Sequence, residues 1–263
     1  EIDPEVKDQW GIPVLKFHVQ WGDNEKKMIP DMMATGAPAM EAAGAVNIRP
    51  YMPTVALPVV HNSAVVDDMV RSSAVHDPPV VLFIGELLER KGLVTLLDAL
   101  DQLDARGVGD YELRIIGDNR PGLDPDKDAM VAEILRRGRG DTMTGPLSRA
   151  EVYANLAEAD LYVFPTWTEG QPFTVIEALS SGVPIVASDI QAISAMIDDP
   201  THGRLLEMHD VAGFADAIGG LLADPDERRR ISAANRARAH ERFDRPVFRA
   251  RIAELYRQHG RVS

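Results

Sequence analysis

"LYVFPTWTEGQPFTVIEALSSGVPIVASD" occupies residues 161–189. It opens with LYVFPT (161–166), a short run of aromatic and β-branched residues that reads as a buried strand. Pro172 suits the first turn of a helix over 173–181. Gly182-Val183-Pro184 then breaks that helix, and PIVASD (184–189) reads as a second strand. Strand, loop, helix and strand in this order make one unit of a parallel α/β sheet. Two carboxylates bracket the turn: Glu169 in the loop and Glu177 about one turn into the helix.

The same alternation continues on both sides. VVLFIG (80–85) reads as a strand ending in glycine, followed by the polar loop ELLERKG and a helical LVTLLDALDQL. ELRIIGDN (112–119) is a further strand, and 127–138 is expected to be helical with Met130, Val131, Ile134 and Leu135 on one stripe. Ser148 with Glu151 three positions on forms a capping box ahead of a helix. GRLLE (203–207) is strand-like, and two helical stretches between Asp210 and Phe243 are split near Asp224-Pro225-Asp226. Short loops and alternating elements predict a Rossmann-like, doubly wound parallel sheet covered on both faces. Ligands of such sheets sit beyond the carboxyl ends of the strands, where the loops after Gly85, Gly117 and Pro165 lie.

Residues 1–57 read differently. KFHVQW (16–21) alternates like a sheet strand, Lys26 to Ala43 looks helical, and Pro50, Pro53 and Pro58 follow. A boundary near Thr54–Pro58 separates this strand–helix appendage from a domain over 58–263.

The 263 residues carry 45% hydrophobic side chains, enough for a sizeable core, and a formal charge of −13. A diffuse acidic surface argues against nucleic acid or anionic membrane as the partner. The basic clusters Arg136-Arg137-Gly138-Arg139 and Arg228-Arg229-Arg230 read as solvated helix faces or helix ends. With no cysteine, disulfides, Cys-ligated metal and thiol catalysis are excluded. No apolar run approaches the ~20 residues of a membrane helix, so no integral membrane segment is expected, and a cytoplasmic location is. Trp10, Trp21 and Trp167 read as packing residues, and Asp198-Asp199 and Asp224-Pro225-Asp226 as turn and cap chemistry.

The chemistry at the opening stretch follows from its geometry. Loop amides and a helix N-terminus suit a phosphate. A carboxylate one turn deeper suits neighbouring hydroxyls, as a ribose presents, and Lys91 can reach the same phosphates as a point charge. A ligand with an anionic middle and hydroxylated ends, such as a sugar nucleotide, fits. The alternative is that both acids serve only the helix dipole.

From about Val59 to Phe243 the chain resembles the C-terminal, donor-binding half of group 1 retaining glycosyltransferases of the GT-B fold. The resemblance lies in VVLFIGELLERKG, LRIIGD, the stretch TGPLSRAEVYANLAEAD followed by residues 161–189, and HGRLLEMHDVAGFADAIGGLLADP. It implies catalytic roles for Glu169, facing the donor sugar, and Lys91, stabilising the diphosphate leaving group. It implies donor contacts from Glu177 to the ribose, from Gly170, Gln171 and Phe173 to diphosphate and sugar, from Gly85 and Arg90 on the first loop, and from Pro146 and Leu147 to the base. The donor substrate would be a nucleotide diphosphate sugar, with no metal and no cofactor, and a separate acceptor-binding domain as partner.

Two positions depart from the family pattern. Glu86 stands where arginine is usual, so either it points away with Arg90 substituting, or donor affinity falls. Asn62-Ser63-Ala64-Val65 replaces the usual N-G-V-D. Residues 1–53, in DPEVKDQWGIPVLKFHVQW and EAAGAVNIRPY, resemble part of the substrate domain of glucose-methanol-choline oxidoreductases, without the flavin-binding glycine motif. Three functions are therefore weighed: hexose transfer with retention, nucleotide-sugar binding without turnover, and flavin-dependent oxidation.

Overall fold

A computed structural model of the chain describes residues 62–69, 76–122 and 124–259, together with two short strands near the N-terminus. Those two strands, β1 (Ile2–Lys7) and β2 (Pro13–Leu15), pair antiparallel. The expectations for 16–21, for 26–43, for Trp10 and Trp21 and for the rest of the oxidoreductase-like stretch lie outside the described residues.

His61–Ala250 form a compact unit of their own. Its elements run β3 (Val80–Ile84), α1 (Leu93–Ala105), β4 (Glu112–Ile116), α2 (Pro125–Arg136), β5 (Met143–Gly145), α3 (Arg149–Glu158) and β6 (Leu161–Phe164). Then come α4 (Phe173–Ser181), β7 (Ile185–Ser188), the short α5 (Gln191–Ser194), β8 (Gly203–Leu206), α6 (Val211–Ala223) and α7 (Pro225–Arg242). Helix α8 (Arg245–His259) begins within this unit.

The six strands form one parallel sheet in the order β5-β4-β3-β6-β7-β8. The chain builds outward from β3 to β4 and β5, then returns and builds outward again from β6 to β8. Right-handed crossovers in opposite directions place their helices on opposite faces. Packing follows that rule: α1 packs with α6, and α4 packs with α3 and α7. The fold is thus the predicted Rossmann-like, doubly wound α/β layer structure, with its switch point between β3 and β6.

Every residue of β3, β6 and β7 is buried, which explains continuous apolar runs instead of alternation. Phe83, Tyr162 and Phe164 cluster across the switch point, with centroids 5.7 Å apart for Tyr162–Phe164 and 6.3 Å for Phe83–Phe164. Each such pair contributes about 0.5–1.5 kcal/mol beyond its buried area. The fully buried Tyr162 hydroxyl donates to Thr174 Oγ1 at 2.9 Å, tying β6 to the first turn of α4.

Helix ends form where the sequence marks them. Ser148 and Glu151 make the capping box of α3, Asp210 caps α6, and Asp224 caps α7 with Pro225 following. Asp199 accepts from the Thr201 amide at 2.8 Å, the expected turn chemistry.

Two readings change and one gains detail. On α2, Met130 and Ile134 are buried, but Leu135 is 56% exposed, so the stripe is narrower than four residues. The basic clusters lie at the end of α2 and on α7 as expected, with Arg136, Arg229 and Arg230 exposed, but their other arginines are paired. Arg137 bonds Asp98 at 2.7 Å and Asp101 at 2.8 Å, and Arg139 bonds Asp104 at 2.6 Å, bracing the end of α2 against α1. Arg228 is buried and donates to the Leu221 and Leu222 carbonyls at 2.6 and 2.7 Å, closing the C-terminus of α6. The short β5 and α5, and the polar α8, carry no periodic apolar signal and were not expected.

One backbone contact is unusually demanding. Gly92 has φ 71°, and a β-carbon there would lie 1.8 Å from the Pro165 carbonyl oxygen. Gly92→Ala is expected to destabilise the unit by more than about 3 kcal/mol, lowering Tm by about 10 °C. A calorimetric Tm within 2 °C or so of the parent would contradict this close approach.

Candidate functional site

The loops that leave β3 and β6 meet at the switch point. A 3-10 turn at Glu89–Lys91 ends at Gly92, and its Arg90 carbonyl accepts from the Trp167 amide at 2.8 Å and from Thr166 Oγ1 at 3.3 Å. This stitching delivers Lys91 to Glu169: Nζ and Oε1 stand 2.5 Å apart, with both side chains about seven-eighths shielded from solvent. Thr166 Oγ1 also lies 3.1 Å from that oxygen, and Lys91 Nζ sits 5.9 Å from the Phe164 ring centroid. The apolar ring and the opposite charge hold the shielded lysine ammonium in place beside Glu169.

Glu177 lies on α4, one turn deeper, with its side chain 12% exposed. The Tyr153 hydroxyl donates to its Oε1 at 3.3 Å, and the Arg149 guanidinium stands 3.7 Å away. Burial pushes the Glu177 carboxyl above its ordinary range, and the Tyr153 hydrogen bond and Arg149 charge oppose that rise. Arg149 and Tyr153 also wall a cavity of about 240 Å³ with Val65, Asp68, Met69 and Arg245.

The remaining sequence candidates divide. Gly85 ends β3, its amide bonded to Ile116 at 3.0 Å. Gly170 is exposed, and a β-carbon there would meet nothing. Phe173 is 52% exposed at the start of α4. No side chain caps α4, which leaves its first-turn amides available to an anion. Gln171 is engaged with Asn62: the Asn62 amide donates to its Oε1, and Asn62 Nδ2 donates to its carbonyl at 3.3 Å. Pro146 is exposed and Leu147 half-buried against the core, on the loop that enters α3.

The Glu86 departure resolves into an ion pair. Arg90 binds Glu86 on the exposed rim, so neither charge acts alone there. Trp167 packs edge-on against His209, centroids 4.8 Å apart.

Sequence reasoning did not single out Arg149, Tyr153 or Thr166, and did not link Asn62 to Gln171. The i,i+4 spacing of Arg149 and Tyr153 signals a shared helix face, but not what that face meets. Asn62 and Gln171 are 109 residues apart, and nothing local links them.

The fold is a doubly wound sheet with a lysine–acid pair at its switch point and a buried acid one turn deeper. The model of one family, glycosyl transferases group 1, matches residues 78–224. The chain belongs to that family. It is 32% identical over 166 residues to a D-inositol 3-phosphate glycosyltransferase of Nocardia farcinica, covering 62% of this chain and 36% of that protein. It is 34% identical over 184 residues to a phosphatidyl-myo-inositol mannosyltransferase of Mycolicibacterium smegmatis, covering 67% and 44%. Sucrose-phosphate synthase from Thermosynechococcus elongatus shares the fold, with TM-score 0.68 and 23% identity over 77% of this chain and 52% of that one. The chain spans less than half the length of both curated relatives. Among the described residues no helix is long and apolar enough to cross a membrane.

The raised acid gives a pH signature. Folding disfavours ionised Glu177, so its cost is absent well below the ordinary value of 4.5, grows as pH rises toward the folded value, and is complete above it. Glu177→Gln removes that cost. The variant is expected to gain about 2 °C or more in Tm at pH 7.5 and little at pH 4. Equal gains at both pH values in differential scanning fluorimetry would count against a raised carboxyl.

Proposed function

We propose that this chain carries the donor-binding half of a retaining hexosyltransferase, and that a nucleotide diphosphate sugar lies across the switch point between β3 and β6. The observation that carries the reading is the Lys91–Glu169 pair, built from two loops that the sheet topology forces together, with Glu177 on the helix that follows. The family membership agrees with it.

In this reading the diphosphate meets Lys91 and the uncapped start of α4. As the bond from the anomeric carbon to the diphosphate oxygen breaks, negative charge grows on the leaving group. A shielded ammonium and fixed amides stabilise that added charge more than they stabilise the bound nucleotide sugar, which is the requirement for catalysis, while the anomeric carbon bonds an acceptor hydroxyl oxygen that gives up its proton to the departing diphosphate. Glu169 faces the sugar and holds Lys91 in place until the diphosphate competes for it. Glu177 takes hydroxyls of the nucleoside ribose. The acceptor is supplied from another domain, and the inositol compounds in the relatives' names give candidate acceptors to try first.

A second reading is binding without transfer. Glu86 favours it, because an acid at the rim of the first loop weakens the local field for an anion even when Arg90 partners it.

Isothermal calorimetry with UDP, GDP and ADP is expected to show binding by at least one of them at sub-millimolar Kd. Lys91→Ala and Glu177→Ala should each weaken it by about tenfold or more, the loss of a hydrogen bond to a charged group. If none of the three binds at millimolar concentration, the donor-site reading is wrong. Release of free sugar or a transfer product from the matching nucleotide sugar separates the transferase from the binding protein.

A further inference from the structure

Glu177 is held from one side. The Tyr153 hydroxyl and the Arg149 guanidinium both address Oε1, at 3.3 and 3.7 Å. Among the described residues Oε2 has no hydrogen-bond partner. Arg149 in turn donates through Nε to the Tyr153 hydroxyl and lies over the Tyr153 ring, 5.2 Å from its centroid. The two residues are four apart on α3, so the arginine braces the phenol along one helix face. Arg149 is 70% exposed and by itself a loose anchor, whereas Tyr153 is partly buried against the core and turns about only two torsions.

We propose that Tyr153, braced by Arg149, is a positioning residue that turns Glu177 so that Oε2 meets the vicinal hydroxyls of a ribonucleoside diphosphate, and that the site thereby selects ribonucleotides over 2′-deoxyribonucleotides. The inference rests on the donor-site reading above. A vicinal diol offers two O–H donors, and one carboxylate oxygen has lone pairs for both. Removing one hydroxyl removes a hydrogen bond to a charged acceptor, a loss of about tenfold to a hundredfold in affinity. The selection requires an oriented carboxylate. Without the phenol, Glu177 is free to swing toward Arg149 and to spend Oε2 on the guanidinium.

The test measures calorimetric Kd for UDP, GDP and ADP and for their 2′-deoxy counterparts on the full chain. The parent should prefer the ribonucleotide by about tenfold or more. Tyr153→Phe keeps the ring, its packing and its stacking with Arg149, and removes only the hydroxyl. It should weaken ribonucleotide binding by about tenfold or more and deoxynucleotide binding, which keeps one hydroxyl on Oε2, by clearly less, so that the preference shrinks severalfold.

A merely structural tyrosine would weaken both classes alike. The variant should also lose ribonucleotide binding at a higher pH on acidification, since the phenol no longer favours the ionised acid. The charged groups around the site, Arg149 on α3 and Asp68 and Arg245 across the cavity, are unchanged by it. A parent without ribonucleotide preference, or a preference that survives undiminished in Tyr153→Phe, overturns the proposal. If that variant does not fold, Arg149→Met decides in the same way, and an undiminished preference overturns it. A parent that binds no nucleotide at all fails earlier, at the donor-site reading itself.

Discussion

The backbone at Gly92 runs so close to Pro165 that no β-carbon fits between them. That approach makes one structure of two loops that leave different strands. The Arg90 carbonyl then receives the Trp167 amide, and the residues on either side, Lys91 and Glu169, have no choice but to meet. The site is accordingly not a set of side chains placed on mobile loops. It is a consequence of the parallel sheet reversing its direction of growth between β3 and β6, which leaves a crevice, and of a glycine that lets the crevice walls touch.

Charge is organised with comparable economy. A chain with net charge −13 must keep its acids apart or answer them. On α1 the acids Asp98, Asp101 and Asp104 are answered by Arg137 and Arg139 from the end of α2, whose side chains are themselves largely shielded. At the rim, Glu86 and Arg90 answer each other. The exposed pair is worth at most about 1 kcal/mol, and the shielded Lys91–Glu169 pair feels a stronger field because less water screens it. Glu177 is the exception. It is buried without a full counter-charge, which costs stability and leaves an acceptor with capacity to spare.

What the sequence made legible was what is continuous along it. The strands β3, β6 and β7 are unbroken apolar runs because both their faces are covered, and the Ser148–Glu151 cap needs only four residues to identify itself. Lys91, Glu169 and Glu177 could be named as candidates because each lies on the loop or first helical turns that follow a strand end. The partners of Glu177 could not, since Arg149 and Tyr153 look like any surface pair until α3 is laid beside α4. The basic clusters do lie at a helix end and on a helix face, but the partners of Arg137, Arg139 and Arg228 were hidden for the same reason: they lie on other helices or at a helix end. Short β5 has only two paired positions with β4, with a register shift between them, too little to leave a periodic trace.

The contact between Asn62 and Gln171 bears on mechanics. Ala64 is bridged to Asp244 and bonded to the Phe243 carbonyl at 2.9 Å, so the segment after Asn62 is anchored to the junction of α7 and α8. Asn62 itself grips the loop between Glu169 and α4 through both its amide and its side chain. A pull on Asn62 is transmitted along two routes. It is divided between a fixed anchor and the loop that carries Glu169.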